Sequence, residues 1–253
     1  MYEPTSDIIF TLNADDLRYY LESFVYVEDV IRLKLSREDM ETIVVDRKQI
    51  SEIRMTLKRK AFTRFKGAGS DLILPVRQVF DVVRTFPDDS ELTLESKERS
   101  ERFSIKTDWG FHWDAPYPDV NPEAHMMLDL DFECEAEVNI HDIHDAISTI
   151  RRTVEPENIL LTIHGEGITL SGEEDDEKVS ISIPKEKIRN LSAEKETSSL
   201  FELERMAQIL RAMQDSDYAR LQLKQDYPFR ISTSFAEGNG EASASMAPLG
   251  EEE

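Results

Sequence analysis

Apolar residues recur along this chain at two spacings, and the two spacings separate helices from strands. Residues 14–25 put Leu17, Tyr20, Leu21 and Phe24 at i, i+3, i+4 and i+7, one face of an amphipathic helix, with Asn13 as its N-cap. Residues 75–86 do the same with Val76, Val79, Phe80 and Val83, and open on Pro75, a residue suited to a first helical turn. Residues 201–213 carry Leu203, Met206, Ala207 and Leu210 on one face, and residues 141–152 supply a fourth helix. Other segments alternate with period two: TIVV, EIRMTL, ELTLE, RFSIK, KVSISI, ARLQLK and FRISTSF. Several short strands around only four helices predict an α+β fold with antiparallel sheets.

The pattern repeats. Val76, Val83, Arg84 and Phe86 are answered by Leu203, Leu210, Arg211 and Met213, each 127 residues on. IRLKL at 31–35 matches ILLTI at 159–163, 128 apart, and Leu17, Leu21 and Phe24 match Ile143, Ile147 and Ile150, 126 apart. Three elements at nearly one offset, in one order, imply two tandem copies of about 115 to 125 residues. The join near 115–127 is polar and holds three prolines, as a linker should. The expected organisation is a first copy at 1–116, a linker at 117–131, a second copy at 132–249 and an acidic tail at 250–253.

Composition narrows the class. The 253 residues are 40% hydrophobic and 8% aromatic, enough to fill cores, so the net charge of −22 does not mark a disordered acidic chain. No stretch approaches the roughly 18 to 20 consecutive apolar residues of a membrane span. The N-terminus has no basic region followed by an apolar one, so no signal peptide is expected. A single cysteine, Cys134, excludes an intramolecular disulfide and a cysteine zinc site, and makes a reducing interior the default. The acidity opposes phosphate binding over the surface as a whole, yet a local basic face can coexist with it. Abundant carboxylates with sparse lysine suggest a protein kept soluble in concentrated salt; an ordinary acidic cytosolic protein is the alternative.

Five motifs invite chemistry. HDIHD puts His141, His144 and Asp145 at i, i+3 and i+4, a spacing that can converge on a metal, although polar helix-face residues explain it as well. DLDFE would put Asp129, Asp131 and Glu133 on one face of a strand, a pattern shared by two-metal nucleases and by acidic solvent faces. EEDDE (173–177) and EEE (251–253) read as loop and tail charge. GEGI at 165–168 reads as a hairpin turn and lacks the phosphate-loop pattern. No catalytic residue, metal or cofactor is assigned.

Three segments in order carry a family resemblance: ETIVVDRKQISEIRMTLKRKAF (41–62), SLFELERMAQILRAM (199–213) and the ending DYPFRISTSFAEGNGEASASMAPLGEEE. With the repeat and the length, they make the chain resemble the archaeal and eukaryotic PCNA-type DNA sliding clamps over essentially its whole length, as a divergent, salt-adapted archaeal member. The resemblance implies two tandem clamp domains with sheets outside and two helices per copy inside. Three subunits would close into a ring around duplex DNA, a non-enzymatic processivity factor for replication and repair. It implies tethering of DNA polymerase, clamp loader, ligase and nucleases through short peptide motifs, self-association as a homotrimer and no membrane partner. Localisation would be cytoplasmic, at the nucleoid, in an archaeon, and nuclear in a eukaryote.

Residue by residue, the helices would offer Arg18, Arg77, Arg84, Arg151, Arg152, Arg205 and Arg211 to DNA. Arg77 and Arg84 are i, i+7, away from their helix's apolar stripe; the alternative for each arginine is ordinary solvation and pairing with carboxylates. Subunits would meet through Trp109, Gly110, Phe111, His112 and Trp113 on one side and Lys178, Val179, Ser180, Ile181, Ser182 and Ile183 on the other. Partner motifs would dock at Val45, Met126, Met127, Leu128, Pro228, Met246, Ala247 and Pro248. Ser245 departs from the family, which usually has Tyr there. Two alternatives stand beside the clamp: a paralogue acting in a hetero-oligomer or a specialised repair role, and a carboxylate-dependent metal hydrolase.

Overall fold

The computed structural model describes residues 6–25, 27–46, 48–120, 122–123, 125, 129–211, 213 and 216–250. The chain begins with β1 (Ile8–Asn13), α1 (Ala14–Val25), β2 (Val30–Leu35), β3 (Asp39–Val45), β4 (Ser51–Lys58) and β5 (Arg64–Lys66). There follow β6 (Ser70–Pro75), α2 (Val76–Val83), β7 (Glu91–Ser96), β8 (Arg102–Lys106) and β9 (His112–Pro116). The same order then recurs: β10 (Cys134–Asn139), α3 (Ile140–Thr153), β11 (Asn158–His164), β12 (Gly167–Glu174), β13 (Glu177–Pro184) and β14 (Ile188–Ser192). It closes with β15 (Thr197–Glu202), α4 (Leu203–Arg211), β16 (Tyr218–Leu223), β17 (Phe229–Phe235) and β18 (Gly240–Met246). Even a short 3-10 turn is repeated, Arg59–Ala61 after β4 and Lys185–Lys187 after β13.

The chain forms two compact units, Met1–Asp46 with Ile53–Met127 and Ser234–Ala242, and Arg47–Glu52 with Leu128–Thr233 and Ser243–Glu253. Two contiguous halves would assign 47–52 and 234–242 the other way. Backbone pairing accounts for the exchange. In the first unit the Lys58 N–H donates to the Asn239 carbonyl at 2.8 Å, and the Tyr19 ring packs on Phe235 with centroids 4.6 Å apart. In the second, the Ala247 N–H donates to the Ile50 carbonyl at 2.8 Å.

The first unit has strand order β5-β1-β7-β8-β9 in one sheet and contains the neighbours β4-β3-β2-β6. Its strands pair antiparallel, with Phe10 opposite Leu94 and Leu33 opposite Leu72. Phe10, Leu17, Tyr20, Leu21, Phe24, Ile31, Leu33 and Val79 are wholly buried, so the helical stripe expected from spacing is the core face. The buried Tyr20 hydroxyl donates to Thr42 Oγ1 at 2.8 Å, and Thr42 in turn donates to the Arg32 carbonyl at 3.0 Å. Burial pushes that phenol's pKa upward. The second unit repeats the arrangement as β14-β10-β16-β17-β18 and β13-β12-β11-β15, with Ile150, Ile159, Leu170 and Phe201 wholly buried. α1 packs on α2 in the first unit and α3 on α4 in the second.

Helix ends differ from the spacing. Pro75 is the N-cap of α2 and not a first-turn residue, and the helix stops at Val83 with Arg84 as C-cap. α4 begins at Leu203, because Phe201 pairs with Ile159 and its buried ring belongs to the sheet. The run 129–132 is irregular, and the strand begins at Cys134. The GEGI turn is confirmed, with His164 opposite Gly167 in the β11–β12 hairpin.

α3 is capped by Asn139, whose side chain accepts from the His141 N–H at 2.9 Å. Asn139→Ala removes that acceptor and should cost about 1 kcal/mol, while Asn139→Gly should cost only a few tenths. Urea unfolding of both variants checks the ordering, with an unchanged m-value showing that the fold is retained.

Candidate nucleic-acid interface and partner surfaces

The seven arginines fall into three groups. Arg18 on α1 is held inside the first unit: its guanidinium donates to Asp15 at 3.3 Å, to Asp88 at 2.7 Å and to the Phe86 carbonyl at 3.0 Å. Arg205 on α4 is 15% exposed and pairs with Glu202 at 3.2 Å. These two brace their helices. Arg84 and Arg151 are exposed and paired, with Asp81 at 3.1 Å and Glu204 at 2.8 Å. Arg77, Arg152 and Arg211 are exposed on α2, α3 and α4. In the second unit Arg151, Arg152 and Arg211 line one open groove of about 750 Å³ with Ser148, Glu155 and Glu204. Arg151 and Arg152 close α3, where the helix dipole favours positive charge.

Counting all four helices together with Arg84, seven arginines face seven carboxylates, a balance of zero. The whole chain carries −22, so the excess negative charge lies entirely on strands, turns and tail. The helical surfaces do not share that excess, so a phosphate meets less repulsion there than over the chain on average.

The two segments expected at subunit contacts both lie at sheet edges, β9 in the first unit and β13 in the second. Trp109 is 67% exposed in the β8–β9 turn, within 6.1 Å of Phe86 and 6.2 Å of Phe111 between ring centroids. Gly110 beside it has φ 105°, a conformation that favours glycine. His112 is exposed, and Trp113 sits edge-on to Phe103 at 5.7 Å. On β13, Lys178, Ser180 and Ser182 are exposed, Val179 and Ile181 half-buried, and Ile183 belongs to the core. Residues 109–113 and 179–183 contain no Asp, Glu, Lys or Arg, in a chain that is 32% charged.

Of the expected partner-binding residues, Met126, Met127 and Leu128 lie outside the described residues. Val45 is half-buried in the first unit, and Pro228, Ala247 and Pro248 are half-buried in the second. Met246 is 1% exposed and faces the core, so its side chain offers no contact surface. Ser245 is also buried, and the Arg230 Nε donates to its hydroxyl at 3.1 Å. The Arg230 guanidinium lies over Phe132 at 5.3 Å, and Phe132 meets Tyr227 at 6.3 Å. Sequence reasoning missed this cluster because Phe132 lies in DLDFE, which reads first as acidic. The linker is fixed to the first unit where Arg32 donates to the Pro122 carbonyl at 2.6 Å and pairs with Asp71 at 2.9 Å.

The motifs suggestive of metal do not assemble. Among the described residues no three His, Cys, Asp or Glu side chains are grouped to hold an ion. Asp129, Asp131 and Glu133 do not share a strand face, and Glu133 pairs with Lys195 at 2.8 Å. Cys134 is buried and donates to Thr197 Oγ1 at 3.1 Å.

Comparisons with known proteins fit this architecture. The chain is 23% identical over 240 residues to a DNA polymerase sliding clamp of Methanococcoides burtonii, covering 94% of this chain and 96% of that one. It is 21% identical over 245 residues to that of Methanocella arvoryzae, covering 96% and 98%. Among solved structures, it superposes on A. fulgidus PCNA bound to the C-terminal region of FEN-1 with a TM-score of 0.85 at 13% identity, covering 97% of this chain and 100% of the other. PCNA of Thermococcus kodakaraensis gives 0.85 at 16%, covering 96% and 100%. The PCNA2–PCNA3 complex of Sulfolobus tokodaii gives 0.80 at 16%, covering 95% and 98%. No family model matches the sequence. The chain has the fold of the PCNA-type sliding clamps over nearly its whole length.

His144 reports on how α3 and α4 are joined. Its Nε2 lies 3.0 Å from the Leu210 carbonyl on α4. Withdrawal from water holds its pKa below the ordinary 6.5, opposed by the Leu210 hydrogen bond. The unfolded chain therefore takes up this proton first as pH falls. Above 6.5 the group contributes nothing; below it stability is lost until the folded value is passed. Urea unfolding between about pH 7 and pH 5 should show this loss, and His144→Gln should flatten that part of the profile.

Proposed function

We propose that this chain, with the PCNA-type fold and end-to-end similarity to archaeal DNA polymerase sliding clamps, is itself a DNA sliding clamp. Three copies close into a ring around duplex DNA with the helices towards the hole. The ring tethers polymerase, ligase and nucleases, raises their effective concentration on DNA, and performs no catalysis of its own. The observation that carries this reading is the charge partition: the four helices together with Arg84 sum to zero while the rest of the chain holds −22. Phosphates are then tolerated at the helical surfaces and are held loosely, as sliding requires.

The strand order supports ring closure. β18 is the second copy's counterpart of β9, and β13 that of β4. In the first unit β18 begins beside β4, where Lys58 meets Asn239. β9 and β13 are the equivalent pair, and each has a free edge. A head-to-tail contact of β9 on one copy with β13 on the next joins two sheet-edge strands, and such contacts close when the rotation fits. Of the seven arginines, Arg77, Arg84, Arg151, Arg152 and Arg211 are the phosphate contacts, and Arg18 and Arg205 hold helices in place. In an archaeal cell the ring would work in the cytoplasm at the nucleoid, placed there by a clamp loader. The hydrolase alternative finds no metal cluster among the described residues.

Light-scattering mass on a size-exclusion column, at low and molar salt, should give three subunits. A mass of one subunit under both conditions overturns the homotrimer and leaves assembly with a different clamp subunit as the second reading. The assembled protein should stay on nicked circular DNA and slide off when that DNA is cut.

Replacing Arg77 and Arg84 with Glu should weaken DNA association and flatten its dependence on log salt by roughly 0.9 for each phosphate that is no longer neutralised. An unchanged slope removes these two from the interface.

A further inference from the structure

Leu160 on β11 and Leu200 on β15 are register partners on the outer face of the second unit's sheet, 36% and 40% exposed. Ser171 of β12 faces Leu160 from the other side and Ser180 of β13 faces Ser171, so the row across the sheet reads Leu, Leu, Ser, Ser. The C-terminal segment extends this row. The Leu249 N–H donates to the Leu200 carbonyl at 2.8 Å, and Leu249 is itself 40% exposed. The flanking outer positions are polar: Thr162 and Ser198 on one side, Asn158 and Glu202 on the other. An open groove of about 470 Å³ runs over Leu160 and Leu200 beside Glu173, Glu174, Asp175 and Lys178. Isolated surface leucines are ordinary, but a cross-strand pair in a groove, continued by a third leucine, is a contiguous apolar strip.

Charge decides what can cover it. Lys178 pairs with Glu173 at 3.5 Å, and among the described residues Glu174 and Asp175 in the lining have no ion-pair partner. Asp176 and Glu177 follow in the same hairpin, and Glu251–Glu253 follow Leu249 in sequence. Nucleic acid and anionic membrane are repelled. A second copy of this chain, at −22, brings like charge to the rim.

We propose that this groove docks a short segment of a partner protein in which leucine-type anchors are flanked by lysine or arginine. The anchors cover Leu160 and Leu200, and the cations meet Glu174, Asp175 and the hairpin beyond. The site goes beyond the sliding-clamp reading, being on a sheet face and using neither the arginines nor the residues expected to hold partner motifs.

The test uses the full chain with 13C-methyl-labelled leucine and a short synthetic peptide in which a Leu-Leu pair is flanked by lysines. The methyl signals of Leu160, Leu200 and Leu249 should shift selectively, and binding should weaken on adding salt. L160S combined with L200S should weaken binding about tenfold or more. A peptide with the leucines replaced by serine, or the lysines by glutamate, should not compete. Shifts spread over the acidic surface and insensitive to L160S overturn the proposal in favour of unspecific charge attraction, and no shift at all overturns it outright. A lower oligomeric mass in L160S/L200S overturns it in favour of a self-contact. An unchanged mass and DNA retention with abolished peptide binding supports it, and shows that the ring reading stands or falls separately.

Discussion

No residue separates any of the four helices from the strand before it. β1 ends at Asn13 and α1 begins at Ala14, and the joints at Pro75 and Val76, Asn139 and Ile140, Glu202 and Leu203 are equally abrupt. The first amides of a helix have no acceptor within it, so each such joint exposes an orphan donor where the chain is already packed. The donors are satisfied reciprocally. In the first copy Ala14 donates to the Ser90 carbonyl, in the turn leaving α2, and Val76 donates to Asp29, in the turn leaving α1. In the second, Ile140 donates to Asp217 and Leu203 to Glu157, the same exchange. Each helix start is thus held by the turn its neighbour leads into, and the two helices of a copy are placed together. Loosening one bond frees an amide and removes a constraint on the other helix.

That placement leaves one face of each helix to the core and the other to solvent, and the charges follow. Leu17, Leu21, Val79, Ile147, Ile150 and Leu210 fill the inward stripes. The outward positions carry the arginines, and equal numbers of carboxylates keep the surface near neutrality. A strongly basic surface would bind phosphate tightly and resist movement along it. A surface as acidic as the rest of this chain would reject DNA. Neutrality on the helical surfaces, within a chain at −22, lies between these limits. The braced pair, Arg18 and Arg205, shows that helical position alone does not assign a role. Arg18 satisfies a backbone carbonyl and two carboxylates at once, so its charge is spent within the fold.

The repeat, the four helices and the fold class were legible because they rest on apolar periodicity, which core packing enforces at Leu17, Tyr20, Leu21 and Phe24 without exception. Helix ends were less legible. Phe201 continues the helical spacing of 201–213, yet its partner Ile159 lies forty residues away and only the sheet decides between the two. The exchanged segments 47–52 and 234–242 were invisible for the same reason, since their pairing is between backbones distant in sequence. Spacing could not sort the seven arginines, because Asp88 and the Phe86 carbonyl, which occupy Arg18, are distant on the chain. Met246 was misplaced because a family position carries no statement about burial. The Arg230, Phe132 and Ser245 cluster was hidden because a guanidinium over a ring leaves no spacing signal.

Assembly sets the last constraint. Copies of a chain at −22 repel one another, and a close contact between them must overcome that field. Two features of the sequence bear on it. The edge strands carry few formal charges, Asp114 on β9, which pairs with Arg102 at 2.5 Å, and Glu177 and Lys178 at the start of β13, so strand pairing between them desolvates few ions. The exposed Trp109 at the β8–β9 turn, backed by Phe86 and Phe111, adds apolar surface beside that edge. The repulsion itself acts between more distant groups, and it is these that salt screens: the Debye length is about 10 Å at 0.1 M and about 3 Å at 1 M. Apolar burial and backbone pairing are not weakened by that screening. Concentrated salt therefore removes the opposing term and leaves the favourable ones, so the proposed edge-to-edge contact is favoured as salt rises.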